Sequence, residues 1–411
     1  MSRTTRRMFL ARTAALGCAG AASLLFTPIT LASAPTDARF VVIILRGGMD
    51  GLDVVRPAGD PLLATYRPTL FDPTDALELD DGFFMLNPHL APLLPLWKKG
   101  ELGFAHAVAT PYRDKRSHFD GQDILEAGTG GNVANTVIGD GWLNRMLAGF
   151  PEVTSQTAFA VGHEDMIILN GDVPVSSWSP DARLDLSSSG RRLLEALYHD
   201  DPVFREAGET AFELAASLDA GNTSGLAGDR EKAMDAMAGA MLKSRRAVRA
   251  RSLARFTAGR LNAETRVAAF SIGGWDTHKG QKGGLKKALG ELSAAILALE
   301  DTLGENWQKT AVLALTEFGR TARENGSGGT DHGTGGVMMM AGGAIRGGKV
   351  HGDWPGIGES DLYENRDLMA TRDVRAFAGH AMRGLFGLGR TRIENVVFPG
   401  LDLGDDPGIL L

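Results

Sequence analysis

The sequence predicts an α/β fold, a mostly parallel sheet covered by helices on both faces, and two observations carry that prediction. Six short runs are mainly apolar, two of them without interruption, as strands buried on both sides are. Segments of helical period separate most of them, the alternation that builds a parallel sheet. A third observation places the chemistry. Carboxylates and histidines recur just after apolar runs, in LRGGMDGLD (45–53), RSHFDGQD (116–123), GGWDTH (273–278), TEFGR (316–320), GTDHGTGG (329–336) and VHGDWPG (350–356). Carboxyl ends of parallel strands meet at one edge of an open sheet, where residues remote in sequence converge.

The first run, residues 40–45, reads FVVIIL and stops at Arg46-Gly47-Gly48, which marks a central strand ended by a glycine turn. Further strands are predicted over 102–108, 157–161, 266–272, 310–315 and 337–340. Helical patterns cover 88–98, 118–127, 142–148, 191–198, 202–218, 230–257, 285–303 and 372–385. The stretch 187–262 has no strand pattern and reads as a helical insertion beside the sheet, broken by a Gly/Asn/Ser segment at 219–229.

Residues 1–34 read as an export signal. Arg6-Arg7 forms a twin-arginine address, an Ala/Leu-rich run follows, and Ala32-Ser33-Ala34 supplies small residues for cleavage. The run is too weakly apolar for a membrane span. The expectation is a periplasmic or extracellular protein, carried folded by the twin-arginine translocase; the remaining 35–411 would form one domain carrying the insertion. Cys18, the single cysteine, lies inside the signal, so the mature chain must be held by its core and by metal rather than by disulfides. A net charge of -7 and the lack of a basic stripe argue against nucleic acid as a partner.

Asp331-His332 stands in a glycine-rich loop whose freedom would let both side chains turn to one metal. Asp276 and His278, two apart, share a face if the segment is extended. His351 completes the histidine set. Glu317 follows the fifth run directly, as a carboxylate projecting from the sheet edge must, and Arg320 either binds an anionic substrate or pairs with Glu317. At the first strand end Asp50 and Asp53 compete for a ligand role, and Asp50, closer to the turn, is preferred. Ser117 has N-cap spacing to Asp120, so it caps the following helix or acts there as a nucleophile favoured by the helix dipole. His118 is a candidate ligand or proton-transfer group. Mixed carboxylate and imidazole ligands suit zinc or manganese.

Taken with the twin-arginine start, these motifs resemble the bacterial exported family called domain of unknown function 1501, whose members resemble the alkaline phosphatase and sulfatase superfamily. The resemblance covers nearly the whole mature chain. It implies a three-layer α/β/α sandwich in which Asp50, Asp331 and His332 hold one divalent ion and Asp276, His278 and His351 a second. Ser117 would take the nucleophile's place. Two features depart from the superfamily's pattern: Asp276 and His278 are two apart instead of four, and Glu317-Phe318 stands where an Asp-His or Asp-Asn pair is common, which leaves Glu317 and Asp331 as alternatives. The cysteine motif of formylglycine sulfatases is absent.

The function this implies is hydrolysis of phosphate or related esters. Ser117 or a metal-bound water would attack a small anionic ester, with Arg46 or Arg320 holding its non-bridging oxygens. The alternative is a non-catalytic envelope binding or assembly protein on the same fold.

Overall fold

The computed structural model describes residues 36–79, 82–113, 115–130, 139–150, 153, 157–161, 166–178 and 250–411. The export signal, with Arg6, Arg7 and Cys18, lies outside them, as does the predicted insertion up to residue 249.

All six predicted strands form, as β1 (Arg39–Arg46), β5 (Leu102–Ala109), β6 (Ala158–Val161), β8 (Val267–Gly273), β9 (Thr310–Thr316) and β10 (Gly336–Ala341). Among the described residues six shorter strands accompany them: β2 (Val55–Arg56), β3 (Leu77–Glu78), β4 (Met85–Leu86), β7 (Ser176–Trp178), β11 (Val350–His351) and β12 (Arg372–Asp373). The main sheet runs β11-β5-β10-β9-β1-β8-β6-β7, with β12 also on β5, while β2, β4 and β3 make a small separate sheet. In the main sheet β1 pairs in parallel with both β8 and β9, and β6 in parallel with β8. Only β10 runs antiparallel, against β5 and β9.

Strand period divides β1 between two cores. Val41, Ile43 and Leu45 face a layer containing Leu253, Ala254, Leu289, Leu292 and Ile296; Phe40, Val42 and Ile44 face Trp142, Leu143, Phe377 and Met382. The first layer contains the helix Gln281–Leu303 and the helical residues 250–262. The second contains the helices Trp142–Leu147 and Val374–Phe386. This is a three-layer α/β/α arrangement with a mainly parallel sheet. The predicted helix over 88–98 divides into a 3₁₀ segment, Pro88–Leu93, and an α-helix, Leu94–Lys99. Pro92 inside the first piece withholds an amide proton.

The β1 turn then meets the β8 loop. Gly47 has φ +123°, and a Cβ there would lie 2.5 Å from the Asp276 amide nitrogen, so only glycine lets the two loops touch.

Candidate metal centre

The segments that follow β5 and β8 and the loop between β9 and β10 supply one cluster. His118 opens the helix His118–Ala127, for which Ser117 is the N-cap; the Ser117 Oγ accepts from the Asp120 amide at 3.5 Å. Asp276 and His278 follow β8, and Asp331-His332 precede β10. His118 Nε2 lies 3.6 Å from Asp276 Oδ2, while His332 Nε2 and His278 Nε2 lie 3.6 and 3.2 Å from Asp276 Oδ1. His278 Nε2 and His332 Nε2 are 2.8 Å apart. One ligand atom from each of His118, Asp276 and His332 falls within 4.8 Å of the others, the geometry a single cation could bridge.

The opposite ring nitrogens are anchored. His118 Nδ1 is 2.8 Å from Glu317 Oε1, His278 Nδ1 is 3.1 Å from Asp331 Oδ1, and His332 Nδ1 is 2.8 Å from the Arg116 carbonyl oxygen. Ionised carboxylates and carbonyls only accept, so each Nδ1 directs its proton outward and each Nε2 faces the centre. His278 Nε2 and His332 Nε2 face each other across 2.8 Å, and the buried His118 Nε2 has no hydrogen-bond partner. A shared proton would link His278 with His332; a divalent cation could be held by His118, His332 and Asp276, with His278 beside them. The donor set fits such an ion, and imidazole with carboxylate suits zinc.

Electrostatics favour the same assignment. Burial would raise the Asp276 pKa, but the Arg320 guanidinium 2.8 Å away more than offsets this and holds the carboxyl below its ordinary value. Burial, and then the neighbouring His118, lowers the His332 pKa, which keeps that ring neutral. Phe318 supports two rings from below, with centroids 5.0 Å from His118 and 5.0 Å from His332. Arg116 adopts φ +54°, rare for a side-chain-bearing residue, and its carbonyl is the one that meets His332. Buried Asp367 bonds Arg116 Nε at 2.9 Å and Thr334 Oγ1 at 2.8 Å, holding that turn.

Several expected ligands have other work. Asp50 is 1 % exposed and accepts from Arg67 at 2.7 Å, Gln281 at 2.6 Å, the Leu52 amide at 3.1 Å and Thr330 at 3.3 Å. These bonds occupy the carboxylate, so it braces the site from beneath. Asp53 is similarly held by Arg56, Asn87 and Gln281. His351 lies in β11, beside Phe104 and Ala105 of β5, toward the strand's start, whereas the site lies past its far end at Val108–Ala109. Burial, then Lys349, pushes its pKa down to about 4, and it belongs to the edge of the sheet. The expected pair of three-residue ion sites therefore does not form as drawn. The choice between Glu317 and Asp331 dissolves, because each carboxylate stands behind a histidine.

The arginines are also corrected. Arg320 is 1 % exposed and donates to the carbonyls of Gly47, Gly48, Trp275 and Thr330 as well as to Asp276. It staples three loops together, and its side chain is buried away from solvent. Arg46 bonds Gln122 at 2.8 Å and pairs with Glu126 at 2.7 Å. Nor do the glycines of the 329–336 loop serve ligand freedom: a Cβ at Gly329 would lie 2.3 Å from the Thr277 carbonyl, and one at Gly333 would lie 2.4 Å from the Arg320 carbonyl carbon. Close backbone packing selects them. Sequence reading missed the Arg116 carbonyl altogether, for which residue identity carries no signal.

A crystal structure of the lipoteichoic acid synthase LtaP from Listeria monocytogenes is similar to this chain with a TM-score of 0.32 and 8% identity, over 71% of this chain and 58% of that one. The chain thus spans under two thirds of that protein's length. No curated protein matches. No helix among the described residues is long and apolar enough to cross a membrane. The profile of a family described as "Protein of unknown function (DUF1501)" matches residues 105–390, which include every member of the cluster above, and the chain belongs to that family.

Proposed function

We propose that this protein is an exported metal-dependent hydrolase of phosphate or related esters. The observation that carries the reading is the convergence of three imidazole Nε2 atoms on the Asp276 carboxylate, each ring backed at Nδ1 by an acceptor. His118, His278, His332 and Asp276 would hold one divalent cation, zinc or manganese. Such an ion supplies Lewis-acid polarisation of an ester and lowers the pKa of oxygen nucleophiles. The chain's own residues set the stage. Asp276, whose pKa Arg320 lowers, contributes negative charge; the three imidazoles are oriented through their Nδ1 partners. Ser117 places a hydroxyl beside His118 at the positive end of a ten-residue helix, where developing negative charge is favoured.

Metal analysis of the purified protein, followed by a panel of phosphomonoesters, phosphodiesters and sulfate esters, tests this reading. One divalent ion per chain with turnover of at least one ester class is the expected result. Ser117→Gly retains much of the capping tendency, since glycine is nearly as acceptable at an N-cap. It should fold and hold metal yet lose turnover by several orders of magnitude. Near-normal turnover would assign Ser117 to capping alone.

A second reading, a metal-holding binding or assembly protein, is favoured by one observation: Arg46 and Arg320, the expected anion holders, are committed to protein partners. Bound metal without turnover on the panel would select it.

Export by the twin-arginine route belongs to the same proposal and rests on Arg6-Arg7. Replacing both with lysine should leave the precursor in the cytoplasm, as fractionation would show, and periplasmic product would point to another route.

A further inference from the structure

We infer that Glu317 and Asp331 are positioning residues and not metal ligands: each accepts the Nδ1 proton of one imidazole, His118 or His278, and fixes the tautomer whose Nε2 faces the shared centre. The inference rests on the cation reading above for its consequence, though not for the tautomers themselves.

The two carboxylates do this with different strength. Glu317 is fully buried, and its Oε1 accepts from His118 Nδ1 at 2.8 Å, the Gly47 amide at 2.9 Å and Gln122 Nε2 at 3.1 Å. Its Oε2 accepts from Thr316 Oγ1 at 3.0 Å. Every one of these partners is a donor, so the carboxylate accepts at each contact. Oε1 is thereby taken up by three donors. Asp331 has a half-exposed side chain and accepts from His278 Nδ1 and, at 3.1 Å, from Asn325 Nδ2. A desolvated partner orients a ring more strongly than one that water can replace. Outer partners of this kind raise ligand basicity, and their loss typically costs ~10–100-fold in metal affinity.

Glu317→Gln is a fair probe because the site accommodates an amide. Thr316 Oγ1 can accept the new N–H, since the carbonyl of Leu45, 2.9 Å away, is an alternative acceptor for its own proton. The amide oxygen can keep its place toward Gly47 and His118. Charge is removed while shape is kept.

The experiment has two arms on the full mature chain. Long-range proton–nitrogen spectra of the cation-free, ¹⁵N-histidine-labelled protein report tautomers directly. Nδ1–H forms at His118 and His278 are expected, and an Nε2–H form at His118 would overturn the inference. Titration with zinc(II) alone then compares wild type, Glu317→Gln and Asp331→Asn. Affinity should fall about 10–100-fold in the first variant and less in the second, with one ion per chain and the same number of imidazole ligands by X-ray absorption. Unchanged affinity in a folded Glu317→Gln would overturn the inference. A wild-type chain that binds no zinc would sink the cation reading, leaving the tautomer arm to decide the role of Glu317.

Discussion

His332→Ala is expected to abolish stable cation retention, with zinc affinity reduced by more than about 100-fold, because even outer partners of a ligand cost ~10–100-fold. The substitution deletes the Nε2 that lies 2.8 Å from His278 Nε2 and 3.6 Å from Asp276, and with it the central member of the cluster. Stability should suffer less, since the ring is only partly buried and its Nδ1 partner, the Arg116 carbonyl, stands near the surface. Equilibrium dialysis with metal analysis reads the effect. His351→Ala is the matched control, for that side chain belongs to the far edge of the sheet and its loss should leave the ion in place. Equal ion loss in both variants would overturn the single-centre geometry. Acidification should act in the same direction as His332→Ala. Ligand imidazoles must be neutral to bind, so retention weakens as falling pH protonates them.

Arg320→Met should produce the largest loss of stability. The guanidinium is buried and donates to four backbone carbonyls and to Asp276. Methionine fills similar volume but donates nothing, leaving buried acceptors that each cost ~1–3 kcal/mol. The expected destabilisation is about 3–5 kcal/mol, since several buried carbonyls lose their donor at once, read by urea unfolding of the cation-free protein. Arg320→Lys should recover only part, because one ammonium cannot reproduce the fork that reaches the β1 turn, Trp275 and Thr330 together. A loss below about 1 kcal/mol, the scale of one ordinary hydrogen bond, would show that these loops hold themselves.

Much of the fold was legible because burial on both faces leaves a direct trace. Strands such as 40–45 and 311–315 are apolar at every position, and nothing else of that length sits as well inside a sheet. The helix His118–Ala127 was equally legible from the Ser117 cap and the period that follows it. The direction of β10 was not read, although the sequence held a clue. No helical pattern separates residues 315 and 337, and a parallel return requires a crossover that such a connection lacks.

The sequence by itself determined the layered α/β plan and the edge at which the chemistry gathers, because strand burial and strand ends are local properties of the chain. Family membership was visible in the same motifs. Which titratable groups face the centre was decided only by the tertiary structure. Asp50 and Asp276 look alike in sequence, each following a glycine turn. Arg67 and Gln281 converge on the first from 17 and 231 residues away, while the second meets three imidazoles. Glu317 and Asp331 were read as rivals for one ligand position, yet each ended behind a different histidine. A carboxylate's role is set by which donors surround it. Those donors arrive through long-range packing of loops around Arg320, which no local pattern encodes.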